Sequence, residues 1–255
     1  MRYFFVFFII PSLFIMADDH DEMYQGVYAD YTYCVNDDNL SQEANFAANS
    51  KWVEAWNVHA NSFDNEVSLS VVAPVYTNED MRDGSDFFFV KHAPSRKALG
   101  AFNEKMWELI SADENMPEPA MTCENSQETF QRIGPSSKSQ EFDDRSYGFV
   151  EYYPCNYVEG ADPEAMRKAE AELAMEHYAN GAKGGYRYIY PGSGSDRNGS
   201  PDFYISRGYP SFEARGESHD IYWSKTNGSE ADGERRRHMS CQNSSLWRWW
   251  RLKES

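Results

Sequence analysis

The sequence predicts an α+β protein built from two tandem β-α-β-β-α-β units, and three observations carry that reading. The phrase MTCENS at 121–126 returns as MSCQNS at 239–244. At an offset of 116, SDFFFVKHAPS (85–95) falls on PDFYISRGYPS (201–211), so that Asp86 meets Asp202, Phe87 meets Phe203, Pro94 meets Pro210 and Ser95 meets Ser211. With small drifts of offset, DYTYC (30–34) meets EYYPC (151–155) and Trp107 meets Trp223. Residues of these uncommon types, kept in order along the chain, read as an internal repeat of about 115 positions.

Each unit shows the same run of elements. In the first, GVYADYTYCV reads as a strand. SQEANFAANSKWVEAWNVHA has helical periodicity, with Phe46, Val53 and Trp56 among its apolar positions. EVSLSVVAPVY and SDFFFVKH are strands, the second ended by Pro94. SRKALGAFNEKMWELI is a helix with Ala98, Phe102, Met106 and Leu109 on one stripe and Ser95 placed as its cap. PAMTCENSQETFQRI closes the unit as a strand. The second unit runs SYGFVEYYPC (strand), then DPEAMRKAEAELAMEHYA, a helix with Asp162 as N-cap and Pro163 in its first turn. GYRYIYP and PDFYISRGY (strands), SFEARGESHDIYW (helix) and HMSCQNSSLWRWWRL (strand) follow. Trp107 and Trp223 read as core residues. PGSGSDRNGS (191–200) reads as a hairpin loop and GERRRH (233–238) as a loop.

Residues 1–17 read as a signal peptide. Arg2 precedes the apolar run YFFVFFIIPSLFIM, which is too short for a spanning helix of about 20 residues and ends at Ala17 before an acidic stretch. The domains expected are then a first repeat over 23–134, a linker over 135–145 and a second repeat over 146–253. Processing would leave a chain without a membrane span, in the periplasm or outside the cell. Cleavage after Ala17 would also start the mature chain Asp18-Asp19-His20, a set suited to Cu(II) or Ni(II). No other metal site and no cofactor is expected. A net charge of −17 repels phosphate backbones and excludes nucleic acid as a partner. In an oxidising compartment the four cysteines, Cys34, Cys123, Cys155 and Cys241, read as disulfides in one of three pairings.

The order of elements resembles the ferredoxin-like unit. Two in tandem resemble the dimeric α+β barrel superfamily, in which two four-stranded sheets face each other and form one pseudo-dimeric barrel, and antibiotic-biosynthesis-monooxygenase-like enzymes are the comparison within it. None of their catalytic motifs can be placed here. The resemblance implies a monomer acting as a pseudo-dimer. It also sets the last strand of each unit beside the first, which implies the pairs Cys34–Cys123 and Cys155–Cys241.

Strand alternation then puts Phe87 and Phe89 under the helices and Asp86, Phe88, Val90 and His92 on the barrel side. In the second unit it puts Asp202 and Tyr204 there, and the first strands are expected to add Asp30, Glu151 and Tyr153. Asp30, Asp86, Phe88, Glu151, Tyr153, Asp202 and Tyr204 are the expected ligand-binding set, with His92 as the catalytic candidate, an acid or base whose place in the second unit is taken by Gly208. The function expected is binding of a small apolar or aromatic molecule in or at the mouth of the barrel. A cofactor-independent, monooxygenase-like enzyme using His92 and an interaction protein with a filled barrel are the two alternatives.

Overall fold

A computed structural model of the chain describes residues 25–78, 82, 84–137, 146–196 and 199–253. The signal peptide, His20 and most of the expected linker lie outside the described residues.

The first half runs β1 (Gln25–Asn36), α1 (Gln42–Ala60), β2 (Ser68–Tyr76), β3 (Phe87–Ala93), α2 (Arg96–Ala112) and β4 (Met121–Ser136). The second runs β5 (Tyr147–Tyr157), α3 (Pro163–Ala179), β6 (Gly185–Pro191), β7 (Phe203–Tyr209) and α4 (Phe212–Ile221), which passes into a π-turn over Tyr222–Thr226. It closes with α5 (Glu230–Arg236), β8 (Met239–Cys241) and β9 (Ser245–Lys253). Each main helix starts where a short oxygen side chain takes a free backbone N–H. Ser95 accepts from the Ala98 amide, Ser211 from that of Ala214, and Asp162 from those of Glu164 and Ala165.

The expectation of two tandem ferredoxin-like units with facing sheets is corrected by the strand pairing. The strands form one closed antiparallel barrel of eight, in the order β7-β6-β4-β1-β3-β2-β9-β5 and back to β7, with β8 added to the far end of β5. Two seams join the halves. β2 pairs with β9 from Leu69↔Lys253 to Tyr76↔Leu246, and β4 pairs with β6 through Phe130↔Tyr190. Four-stranded sheets would leave their outer strands with unpaired backbone groups, and closure pairs all of them.

The helices cover the outside. Under α1 and α2 the core is apolar: Trp56, Leu99, Phe102 and Met106 pack on Leu69, Phe89 and Ala93. Under α3 and its neighbours, Met166 and Ala174 pack on Tyr186, Tyr188, Phe203 and Ile205. A third cluster fills part of the barrel itself, with Ala29, Tyr31, Val72, Phe88, Val90, Ile189 and Trp247. Both expected disulfides are present, Cys34–Cys123 and Cys155–Cys241. Cys155 lies directly opposite Cys241 across β5 and β8. Among the described residues, no helix is long and apolar enough to cross a membrane.

Several local expectations change. Trp107 is 78% exposed and Trp223 68%, so neither belongs to the core. The stripe of α2 is Leu99, Phe102 and Met106, and Trp107 lies one position round the helix from it. Phe46 is likewise exposed on α1. GERRRH falls largely within α5, which Ser229 caps and whose Asp232 is fully buried. β4 continues through Gly134 and Pro135 to Ser136.

Candidate functional site

A cavity of ≈ 530 Å³ occupies one end of the barrel interior. The other end is plugged by rings: Phe88 lies 4.9 Å from Trp247, 5.6 Å from Tyr33 and 5.7 Å from Tyr31. The cavity walls are Val72, Val90, Val150 and Trp249, and its mouth is set with Ser68, Ser136, Ser137 and Arg251. Gly208, Ser206 and Ser70 leave the open space, since larger side chains at these inward positions would fill it.

A polar group stands on one wall. Arg187 on β6 donates through Nη1 to His92 Nε2 at 2.9 Å and to Gln131 Oε1 at 3.1 Å. Gln131 Nε2 donates to the Tyr31 hydroxyl at 2.9 Å. Tyr31 and Tyr152 are hydrogen-bonded to each other. Burial, and then the Arg187 charge, push His92 down to about 3. The imidazole is therefore neutral and accepts the hydrogen bond of the Arg187 guanidinium through Nε2. Burial pushes Tyr31 up to about 12 and Tyr152 well above the ordinary phenol range. Burial also lowers Arg187.

The residues proposed from sequence divide between the two faces. His92 lines the cavity. Phe88 and Tyr204 belong to the aromatic plug. Asp30 lies outside the barrel, paired with Lys91 at 2.7 Å beneath α2. Glu151 and Tyr153 also face outward. Glu151 is fully buried and accepts from Arg215 Nε at 2.8 Å, Tyr153 OH at 2.8 Å, His219 Nε2 at 3.1 Å and Tyr209 OH at 3.1 Å. Burial would raise its carboxyl, but the hydrogen bonds from His219 and Arg215 outweigh it and hold the group down at about 2. Asp86 accepts from the Asn36 amide at 2.9 Å and Asp202 from the Tyr157 amide at 2.8 Å, so both tie strand ends. The recurring acids thus dock helices and close turns. Arg187, Gln131, Tyr31 and Tyr152 were missed. The signal for Arg187 was a lone arginine in the tyrosine-rich strand GYRYIYP.

A second cavity, of only ≈ 30 Å³, lies under α3 beside Glu170, His177, Arg207 and Tyr222. Glu170 pairs there with Arg207 at 2.9 Å. Among the described residues, no group of three or more His, Cys, Asp or Glu side chains could hold a metal ion.

A crystal structure described as a candidate chlorite dismutase has a similar fold, with TM-score 0.53 and 11% identity, over 88% of this chain and 95% of that one. A mutant chlorite dismutase from Candidatus Nitrospira defluvii matches with TM-score 0.51 and 12% identity, over 89% and 92%. A heme-binding protein from Thermus thermophilus matches at TM-score 0.47 and 12% identity, over 88% and 91%. These likenesses concern the fold alone. No protein-family model matches the chain, and no curated protein matches it.

Proposed function

We propose that this protein binds a small molecule inside its barrel. The observation that carries the reading is the ≈ 530 Å³ cavity, which joins apolar and aromatic walls to a fixed polar group on one side. That volume and lining are those of small-ligand sites. The two disulfides suit an oxidising compartment, and we place the mature protein outside the cytoplasm as a monomer whose single chain closes its own barrel.

In this reading His92 is a positioning residue. A histidine held at about 3 is a weak proton acceptor at neutral pH. Its neutral nitrogen aims Arg187 into the cavity. The aromatic plug at Phe88 and Tyr204 forms the floor. Haem does not fit these side chains, because it needs an axial ligand with a free donor atom facing a flat space. In the cavity His92 Nε2 already faces the Arg187 guanidinium, and the Tyr31 and Tyr152 phenols are tied to each other and, through Tyr31, to Gln131, and kept protonated by burial.

Native mass spectrometry of protein purified from its source tests the reading. A mass above that of the chain, released on denaturation, is expected. It should be absent from Ser206→Phe, which fills the cavity. Release of the same mass from a folded Ser206→Phe protein would refute the barrel as the site. A Soret band in the purified protein would replace the reading with haem binding.

A further inference from the structure

The chain carries 41 acidic residues against 24 basic ones, yet no Asp or Glu lines the barrel cavity among the described residues. Two arginines do, Arg187 and Arg251. Arg187 is the deeper one. Its hydrogen bonds go to a neutral imidazole and a neutral amide, and the other groups close enough to act on its charge are the Tyr31 and Tyr152 phenols. Among the described residues it has no carboxylate partner. Elsewhere this protein matches its enclosed arginines with acids: Arg207 and Arg235 with Glu170, and Arg215 with Glu151. An arginine placed away from bulk water without a counter-charge destabilises the fold. This one is nevertheless held in place by a chain of side chains running through Gln131 to Tyr31.

The donor count gives the ligand chemistry. A guanidinium has five N–H groups. The two on Nη1 are taken by His92 and Gln131. The Nε and Nη2 side remains, and its parallel hydrogens match the two oxygens of a carboxylate. Val72, Val90, Val150 and Trp249 would surround whatever that carboxylate is attached to. From this arrangement we infer that the barrel ligand is an anion, a small carboxylate with an apolar or aromatic body, whose charged end pairs with Arg187. The inference rests on the cavity being a ligand site.

Sodium formate is the first probe, because it is small enough to reach the guanidinium in any orientation. Formamide is its neutral counterpart. Thermal unfolding is followed for the wild type and for Arg187→Met, which keeps much of the volume and removes the charge. Without ligand, Arg187→Met should melt at or above the wild-type temperature, since an unmatched cation is gone. Formate should raise the wild-type melting temperature, formamide should raise it less, and formate should leave Arg187→Met unmoved. Equal shifts in both proteins, or no wild-type shift up to ~0.1 M formate, overturn the anion assignment. Benzyl alcohol separates that failure from failure of the cavity reading. If it stabilises the wild type and Arg187→Met alike, but not Ser206→Phe, the barrel still binds and only the charge assignment is lost. If it stabilises none of them and formate fails too, both readings fall.

Discussion

Replacing Glu151 with glutamine should remove a pH-dependent part of the stability whose size follows from the structure. The carboxylate is fully buried and held at about 2, against 4.5 for an ordinary glutamate. Its folded value is depressed. The stability it contributes is therefore present above pH 4.5 and is lost as the pH falls from 4.5 towards 2. At about 1.36 kcal/mol for each unit, the full effect is about 3 kcal/mol. A second route agrees: removing one partner of a buried pair costs about 3–5 kcal/mol, and Arg215 can partly rehydrate, which favours the lower end. Urea unfolding at pH 7, 4.5 and 2.5 measures both proteins. Glu151→Gln should be about 3 kcal/mol less stable than wild type at pH 7, and the gap should close towards pH 2.5. A gap below about 1 kcal/mol at pH 7, or one that does not narrow on acidification, would show that the Arg215–His219 cluster does not hold Glu151 as described.

Other consequences are open to measurement. His92 is depressed from 6.5 to about 3, so the unfolded chain takes up a proton there that the folded one refuses, and stability should fall as the pH drops below 6.5. His92→Gln should flatten that slope between pH 6.5 and 5, as read by urea midpoints. The disulfides close loops of 89 and 86 residues, and Cys155→Ser with Cys241→Ser should cost about 4–5 kcal/mol on the chain-entropy model, checked by denaturation without reductant. Phe102→Ala, in the core under α2, should cost about 3–5 kcal/mol by the same assay. Trp107→Ala should cost within about 0.5 kcal/mol, because the ring is exposed.

The parts of the fold legible from sequence were the local ones. Caps at Ser95 and Asp162 announce their helices through the chemistry of a single side chain, and both form as expected. The cysteine pairs, which are not local, came from the resemblance to the ferredoxin-like unit, and both are present. A barrel was expected only through the resemblance, and the strand pairs that close it, β2–β9 and β4–β6, were not legible, because they are contacts between halves and leave no trace in periodicity. The inner and outer faces of β1 and β5 were exchanged for a related reason. Helices cover one side of these strands and the barrel core the other, so both sides carry large residues and the usual polar alternation fades. Around Asp30 the neighbours Tyr31 and Tyr33 point inward, while Asp30 pairs outward with Lys91. α5 was hidden because EADGERR has a glycine and three acids, and it is held as a helix by the Ser229 cap and by Asp232 with Arg235 and Arg236. At the candidate site His92 could be found as a histidine in a strand of apolar residues. Arg187 could not be given a role until Gln131 and Tyr31 were known to stand beside it.

The two seams make each half depend on the other. Cut apart, the first half would present β2 and β4 as raw borders, and the second would present β6 and β9. All four are long enough to recruit a further strand. Either half produced by itself should therefore pair with its own copies, as a two-chain barrel or as an open-ended stack. Mixed together during refolding, the halves should recover one mixed species, since only that combination restores the register Phe130↔Tyr190 on one side and Val72↔Trp249 on the other.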